Sequence, residues 1–370
     1  MIIHKRIYIF FLLSFFVIGK YNFLIANELP LIKKFGIDQN LLSNFNEYQQ
    51  ALSKISSSDN SFINSEDFYK DNTFSVIYGI EYLNEKLYIT DCPNSIVKVF
   101  NIKGEFLYDL NDKYEIPAID YPSGITSNGK DTLYIVEEKK SQLIVVNIND
   151  GSFKYVNFLR DKNRKIKFDN PLSIDFYNEK LFLTDTHNDR ILIFDTSFNL
   201  LHRFNSFDLN YKNLLGIDKS KKIPISYPYY IRALSESNIL VNISGWNRYV
   251  EFSIEDDSYN KKFLKVLNIF GDKPDEFKFS RIKNFIYDHE FDAPNDMITY
   301  NNNSNLILTS TNDHSLIFFR KRNSDWNFIR KYNLRNAKVL EKFQNKGKYL
   351  LAAYGPDASG LGVMNIYTLD

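Results

Sequence analysis

One five-residue pattern recurs six times along this chain, and that recurrence limits the fold more than any other feature. LYITD begins at Leu87, LYIVE at Leu133, LFLTD at Leu181, ILVNI at Ile239, LILTS at Leu306 and YLLAA at Tyr349. Each is a run of β-branched, aromatic and aliphatic residues that reads as a short strand. Polar turn residues follow, then a second alternating strand: IVKVFNI at Ile96, LIVVNI at Leu143, ILIFDT at Ile191, YVEFSI at Tyr249, LIFFRK at Leu316 and GVMNIY at Gly362. Upstream of most copies stands an X-Pro-x-x-apolar segment: YPSGIT at Tyr121, NPLSID at Asn170, YPYYIR at Tyr227 and APNDMI at Ala293. Proline fixes φ and has no N–H to give to a ladder, so it belongs at or just before the first residue of a strand. YGIEYL at Tyr78 and AKVLEKF at Ala337 fill the same slot without proline. Outer segments such as FLYDLN, LLHRFN and FLKVLNIFG supply a fourth strand.

Six four-stranded antiparallel units at this period predict an all-β chain, a six-bladed β-propeller. The repeat resembles the NHL-repeat family, whose unit runs roughly Pro-x-Gly-Ile, a gap, Leu-Tyr-Val-x-Asp-x-x-Asn-x-Arg-Ile, then a strand ending in Phe and a Gly turn. PLSIDFYNEKLFLTDTHNDRILIFDTSFNLLHRF, from Pro171 to Phe204, matches best, and the fourth to sixth units are degenerate. The resemblance covers Leu29 to Asp370. It implies the ring fold, and a range of roles: ligand-binding sensors, RNA-binding modules, scaffolds and a few lyases or lactonases.

The last unit ends on its third strand, whereas the N-terminal LPLIKKFGIDQN has the strand-then-Phe-Gly form of an outer strand. Leu31 to Phe35 is therefore expected to pair beside Gly362 to Leu369 and close the last blade, leaving no open edge. Residues 27–370 then form a single propeller domain, with the Ser/Asn/Asp-rich stretch 38–72 as a connecting segment. Before it, Lys5-Arg6 and the apolar run Ile7 to Ile18 read as a signal peptide over residues 1–26, too short to span a bilayer. An uncleaved anchor is the alternative. The expected location is periplasmic or extracellular.

The 46 Lys+Arg nearly balance 45 Asp+Glu, and three of the basic residues lie in the first 26 with no acid. A near-neutral body supplies no general basic face for nucleic acid. Cys92 is the sole cysteine, so no internal disulfide forms; it reads as a small buried residue.

The polar knot Asp185-Thr186-His187-Asn188-Asp189-Arg190 could be a catalytic cluster or a turn. Asp185 holds the slot of Asp91, Glu137, Ile243, Ser310 and Ala353, so its expected role is to accept N–H bonds in a turn. His187, His202, His289 and His314 lack zinc spacing. Asn170, Asp175, Asn295 and Asp296 could meet Ca²⁺, but no Asp-x-Asp-x-Asp loop gathers them. No cofactor is expected.

SYPYYIR and SGWNRYVE offer Tyr229, Tyr230, Arg232, Trp246, Asn247 and Arg248, which with Asn295 and Asp296 are the candidate ligand-binding residues. Aromatic faces stack on sugars, and arginine pairs with carboxylate or phosphate. Long insertions before Tyr227 and Ala293 put the expected site on the face where the first strands begin. The expected function is binding of a protein or small-molecule ligand, with carbohydrate among the options, without catalysis. A metal-dependent lyase or lactonase at the channel mouth is the alternative.

Overall fold

The structure, a computed structural model, describes residues 31–35, 74, 76–210, 220–257, 261–271, 294–310, 315–323, 325–333, 339–345, 348–356 and 362–369. The signal segment 1–26, the connecting segment 38–72, His289 and His314 lie outside them.

After β1 (Leu31–Phe35) comes a meander of β2 (Ile77–Leu83), β3 (Lys86–Asp91), β4 (Ile96–Asn101) and β5 (Phe106–Asp109). A second consists of β6 (Pro122–Ser127), β7 (Thr132–Glu137), β8 (Gln142–Asn147) and β9 (Phe153–Val156). A separate hairpin follows, β10 (Phe158–Asp161) and β11 (Arg164–Lys167). The third meander is β12 (Pro171–Tyr177), β13 (Lys180–Asp185), β14 (Arg190–Asp195) and β15 (Leu200–Phe204). Then come β16 (Ser206–Asn210), β17 (Ser220–Pro224), β18 (Pro228–Ala233), β19 (Asn238–Ile243), β20 (Arg248–Asp256) and β21 (Lys262–Phe270). β22 (Pro294–Tyr300), β23 (Asn305–Ser310), β24 (Ser315–Arg322) and β25 (Asp325–Asn333) form another meander. The chain finishes with β26 (Val339–Asn345), β27 (Lys348–Pro356) and β28 (Gly362–Leu369).

The result is an all-β propeller of antiparallel sheets, but it shows five four-stranded blades where six were expected. Five sheets are four-stranded, while the sheet of the fourth unit has six strands in the order β17-β16-β21-β20-β19-β18. The insertion before Tyr227, expected as a loop, folds back as the β16–β17 hairpin and lays β16 parallel to β21 at Asp208 and Lys265. Burial drives this: Phe207 and Ile223 are buried, and the Phe207 ring meets Phe252 and Trp246 at centroid distances of 5.0 and 5.3 Å. β1 lies antiparallel to β28, with Leu31 opposite Tyr367 and Phe35 opposite Met364, in the sheet order β1-β28-β27-β26.

The first strands of the meanders pack neighbour to neighbour: β2 on β6, β6 on β12, β12 on β18, β18 on β22, β22 on β26, and β26 on β2. They surround a central channel. Close approach there depends on small residues. A Cβ on Gly79 would stand 2.6 Å from the Ser123 carbonyl oxygen, and one on Gly124 would stand 2.7 Å from that of Leu172. The second and third strands are sandwiched between neighbouring sheets, which is why runs such as LYITD and LFLTD are buried on both faces.

Candidate functional site

Asp185 ends β13, fully buried, and its contacts are those of a turn. One oxygen accepts the Asp169 N–H at 2.7 Å; the other accepts from Arg190 Nε at 2.6 Å and Asn188 Nδ2 at 3.0 Å. Glu137 repeats the arrangement one unit earlier, accepting the Asp120 N–H and a proton of Lys140 Nζ, both at 2.7 Å. Each acid thus ties the second-strand turn to the segment just before the first strand of its own unit. His187 stands beside this knot, exposed, with Nδ1 3.8 Å from Asp169. The threonine before the acid has another role. Thr90 Oγ1 donates to the Ser123 carbonyl at 2.8 Å and Thr184 Oγ1 to the Tyr229 carbonyl at 3.0 Å, linking each sheet to the first strand of the next. Asn242 makes the equivalent bond to the Asn295 carbonyl at 2.8 Å. Cys92 is buried, its thiol donating to the Pro122 carbonyl.

The chemistry lies in the channel. β2, β12, β18, β22 and β26 contribute Glu81, Asp175, Arg232, Asp296 and Glu341, and β6 contributes Ser127. Arg232 donates from Nε to the Met297 carbonyl at 3.0 Å and pairs through Nη2 with Asp296 at 3.4 Å. Asp296 is itself fully buried and accepts the N–H groups of Met297 and Leu340 at 2.7 and 2.9 Å. Asp175 accepts the Ala233 N–H at 2.7 Å, and Glu81 accepts the Ser127 hydroxyl proton. Burial pushes the Glu81 carboxyl up to about 7, with the Asp175 charge adding to the rise and the Ser127 bond opposing it. Burial likewise raises Asp296, against the pull of Arg232. For the guanidinium, burial works downward, yet Asp296, Asp175, Glu341 and Glu81 together raise it.

These groups sit at the foot of a cavity of about 880 Å³, opening where the first strands end and turn into the second strands. Glu81, Asp175, Arg232 and Glu341 line it together with the rings of Tyr82, Phe176, Tyr177 and Tyr300 and the amides of Asn128 and Asn301–Asn303. The opposite end of the channel is spanned by tyrosines. Tyr230 on β18 donates its hydroxyl to the Tyr78 carbonyl on β2 at 2.9 Å, and those strands stand across the ring from one another. Tyr229 packs on Tyr230, with ring centroids 5.5 Å apart, and bonds to the Tyr78 side chain.

The candidate residues therefore separate. Arg232 and Asp296 meet in the channel, and Arg232 alone of the eight lines the cavity. Tyr229 and Tyr230 lie at the end of the channel opposite the cavity. Trp246 is half-buried against Phe207, Arg248 donates to the Trp246 carbonyl, and Asn247 caps its turn with φ 54°. Asn295 is buried, its N–H bonded to the Tyr249 hydroxyl at 2.8 Å. The inserted segment before Ala293, part of the reason for favouring that face, lies outside the described residues. Glu81, Tyr82, Tyr177, Tyr300 and Glu341 were missed. Their signal is position: each lies four or more residues into a first strand or at its end, or, for Glu341, shortly after the start of a strand without proline. Among the described residues no group of three or more His, Cys, Asp or Glu is placed to hold a metal ion. No helix among them is long and apolar enough to cross a membrane.

No family model matches the chain, and no curated protein does. Solved structures do. A candidate gluconolactonase aligns with a TM-score of 0.53 at 10% identity, over 80% of this chain and 89% of its own. The β-propeller domain of Cps50 (Swd1) from Myceliophteria thermophila aligns with a TM-score of 0.50 at 14% identity, over 80% and 84%. Such identities speak for the fold and for nothing chemical. By its sheets and by these likenesses, the chain is a β-propeller.

Proposed function

We propose that this chain is an exported, NHL-like propeller that binds a polar ligand without catalysis. In this reading the six-stranded sheet counts as one blade of six, and β1 on β28 is the clasp that closes the ring. The ligand seat is the cavity where the first strands end, and its lining carries the argument. Tyrosine faces suit the C–H surface of a sugar, while carboxylates, amides and a guanidinium supply acceptors and donors for hydroxyl groups. A volume of about 880 Å³ falls in the range of small-molecule sites. A carbohydrate is the ligand class these features favour.

Calorimetric titration with a panel of neutral mono- and disaccharides tests this. Tyr177→Ala, at a partly exposed ring of the rim, is expected to weaken binding at least tenfold with little change in unfolding temperature. Absence of binding across the panel would overturn the carbohydrate reading. Turnover of a lactone by the purified, metal-supplemented protein would replace binding alone with the lactonase alternative.

A further inference from the structure

The rim between the second and third meanders carries a feature that the cavity does not use. The β10–β11 hairpin, Phe158–Lys167, holds Arg160, Lys162, Arg164, Lys165 and Lys167 against one acid, Asp161. Its register sets Phe158 opposite Lys167 and Arg160 opposite Lys165, so strand alternation places these four on one face. Leu159, paired with Ile166, turns to the other face and is fully buried. The basic face borders a groove of about 410 Å³, to which Lys154, Tyr155, Arg160 and Phe198 contribute and no carboxylate does. Lys165 Nζ lies 4.5 Å from the Phe158 ring centroid and Lys154 Nζ 4.8 Å from that of Phe198, so both ammonium groups are held at the groove wall. Arg160, Lys165 and Lys167 are all exposed, and none of the four cations is in an ion pair among the described residues. Like charges directly opposite on paired strands are destabilising. Arg160 Nη1 donates to the Ser197 carbonyl at 3.4 Å, a neutral acceptor that leaves the charge opposite Lys165 uncompensated.

We propose that this groove binds the anionic groups of an acidic glycan bearing carboxylates or sulfates. Single-stranded nucleic acid fits less well, because it is held by successive bases stacked on aromatic faces, and with ammonium groups over Phe158 and Phe198 the groove offers a single uncovered ring, Tyr155. A bilayer fits less well too, since interfacial binding needs several apolar side chains beside the cations, and with Leu159 turned inward Tyr155 is the one large exposed ring of the groove.

The test uses the full chain and two probes, a uronic-acid tetrasaccharide and a sulfated tetrasaccharide. At least one is expected to bind, with affinity falling as salt rises. Arg160→Glu with Lys165→Glu, at exposed positions, should weaken it at least tenfold without lowering the unfolding temperature. Tyr177→Ala should leave it unchanged, which separates this groove from the cavity. Failure of both probes to bind, unaltered affinity in the double variant, or tighter capture of a single-stranded oligonucleotide or of acidic phospholipid vesicles would overturn the proposal.

Discussion

Glu81 and Asp185 are both buried acids, and their surroundings set them different tasks. The Glu81 carboxyl is raised to about 7 from an ordinary 4.5, so the folded protein holds a proton that the unfolded chain releases between those values. Its contribution to stability is complete below about pH 4.5 and is lost as pH rises through about 7. The loss runs at up to about 1.4 kcal/mol per pH unit for a single proton. Glu81→Gln is expected to flatten the unfolding-temperature profile across that window; an unchanged slope would show that another group carries it. Asp185 instead anchors a turn. Asp185→Ala leaves Arg190 Nε and the Asp169 N–H without their acceptor, while the guanidinium keeps the Lys167 carbonyl, and is expected to cost about 2 kcal/mol in denaturant unfolding. Carbohydrate binding should persist wherever that variant is folded, because Asp185 does not line the cavity.

At the scale of elements, the first strands are what bring the site together, and they do so through small residues. Gly124→Ala would force a Cβ to within 2.8 Å of Ser173 Cα on the next first strand, and is expected to destabilise by about 1–3 kcal/mol. The neighbouring Ser123→Ala, with no such approach, serves as the control. The strand grammar itself was legible in the sequence: alternation and turn residues mark the meanders, and an X-Pro start marks β6, β12, β18 and β22. The β16–β17 and β10–β11 hairpins were not legible. Their sequences, SFDLN with SKKIP and FLRD with RKIK, are short and mixed in polarity, and only burial of Phe207, Ile223 and Leu159 in neighbouring sheets makes them strands. The site was half legible. Arg232 drew notice through its aromatic neighbours and Asp175 as a possible Ca²⁺ ligand, whereas Glu81 looks like an ordinary solvated acid until the ring brings the three to one cavity.

Most sheet pairings join successive strands, whereas β1 on β28 joins chain segments more than 300 residues apart. Removing residues through Phe35 would leave β28 as an open edge. Thermal unfolding of that truncated protein is expected at a lower temperature than for the chain starting at residue 27, with aggregation on heating. An identical transition would mean that the β1–β28 pairing contributes nothing.

The Tyr230 hydroxyl reaching the Tyr78 carbonyl sets a bar across the ring at the end of the channel opposite the cavity. A chain threading through the ring would have to break that bond. Should the occupant of the cavity be a polymer, an intact bar favours entry by its end. Recognition would then count chain termini in solution, and shortening the polymer at constant mass would raise the number of sites it fills.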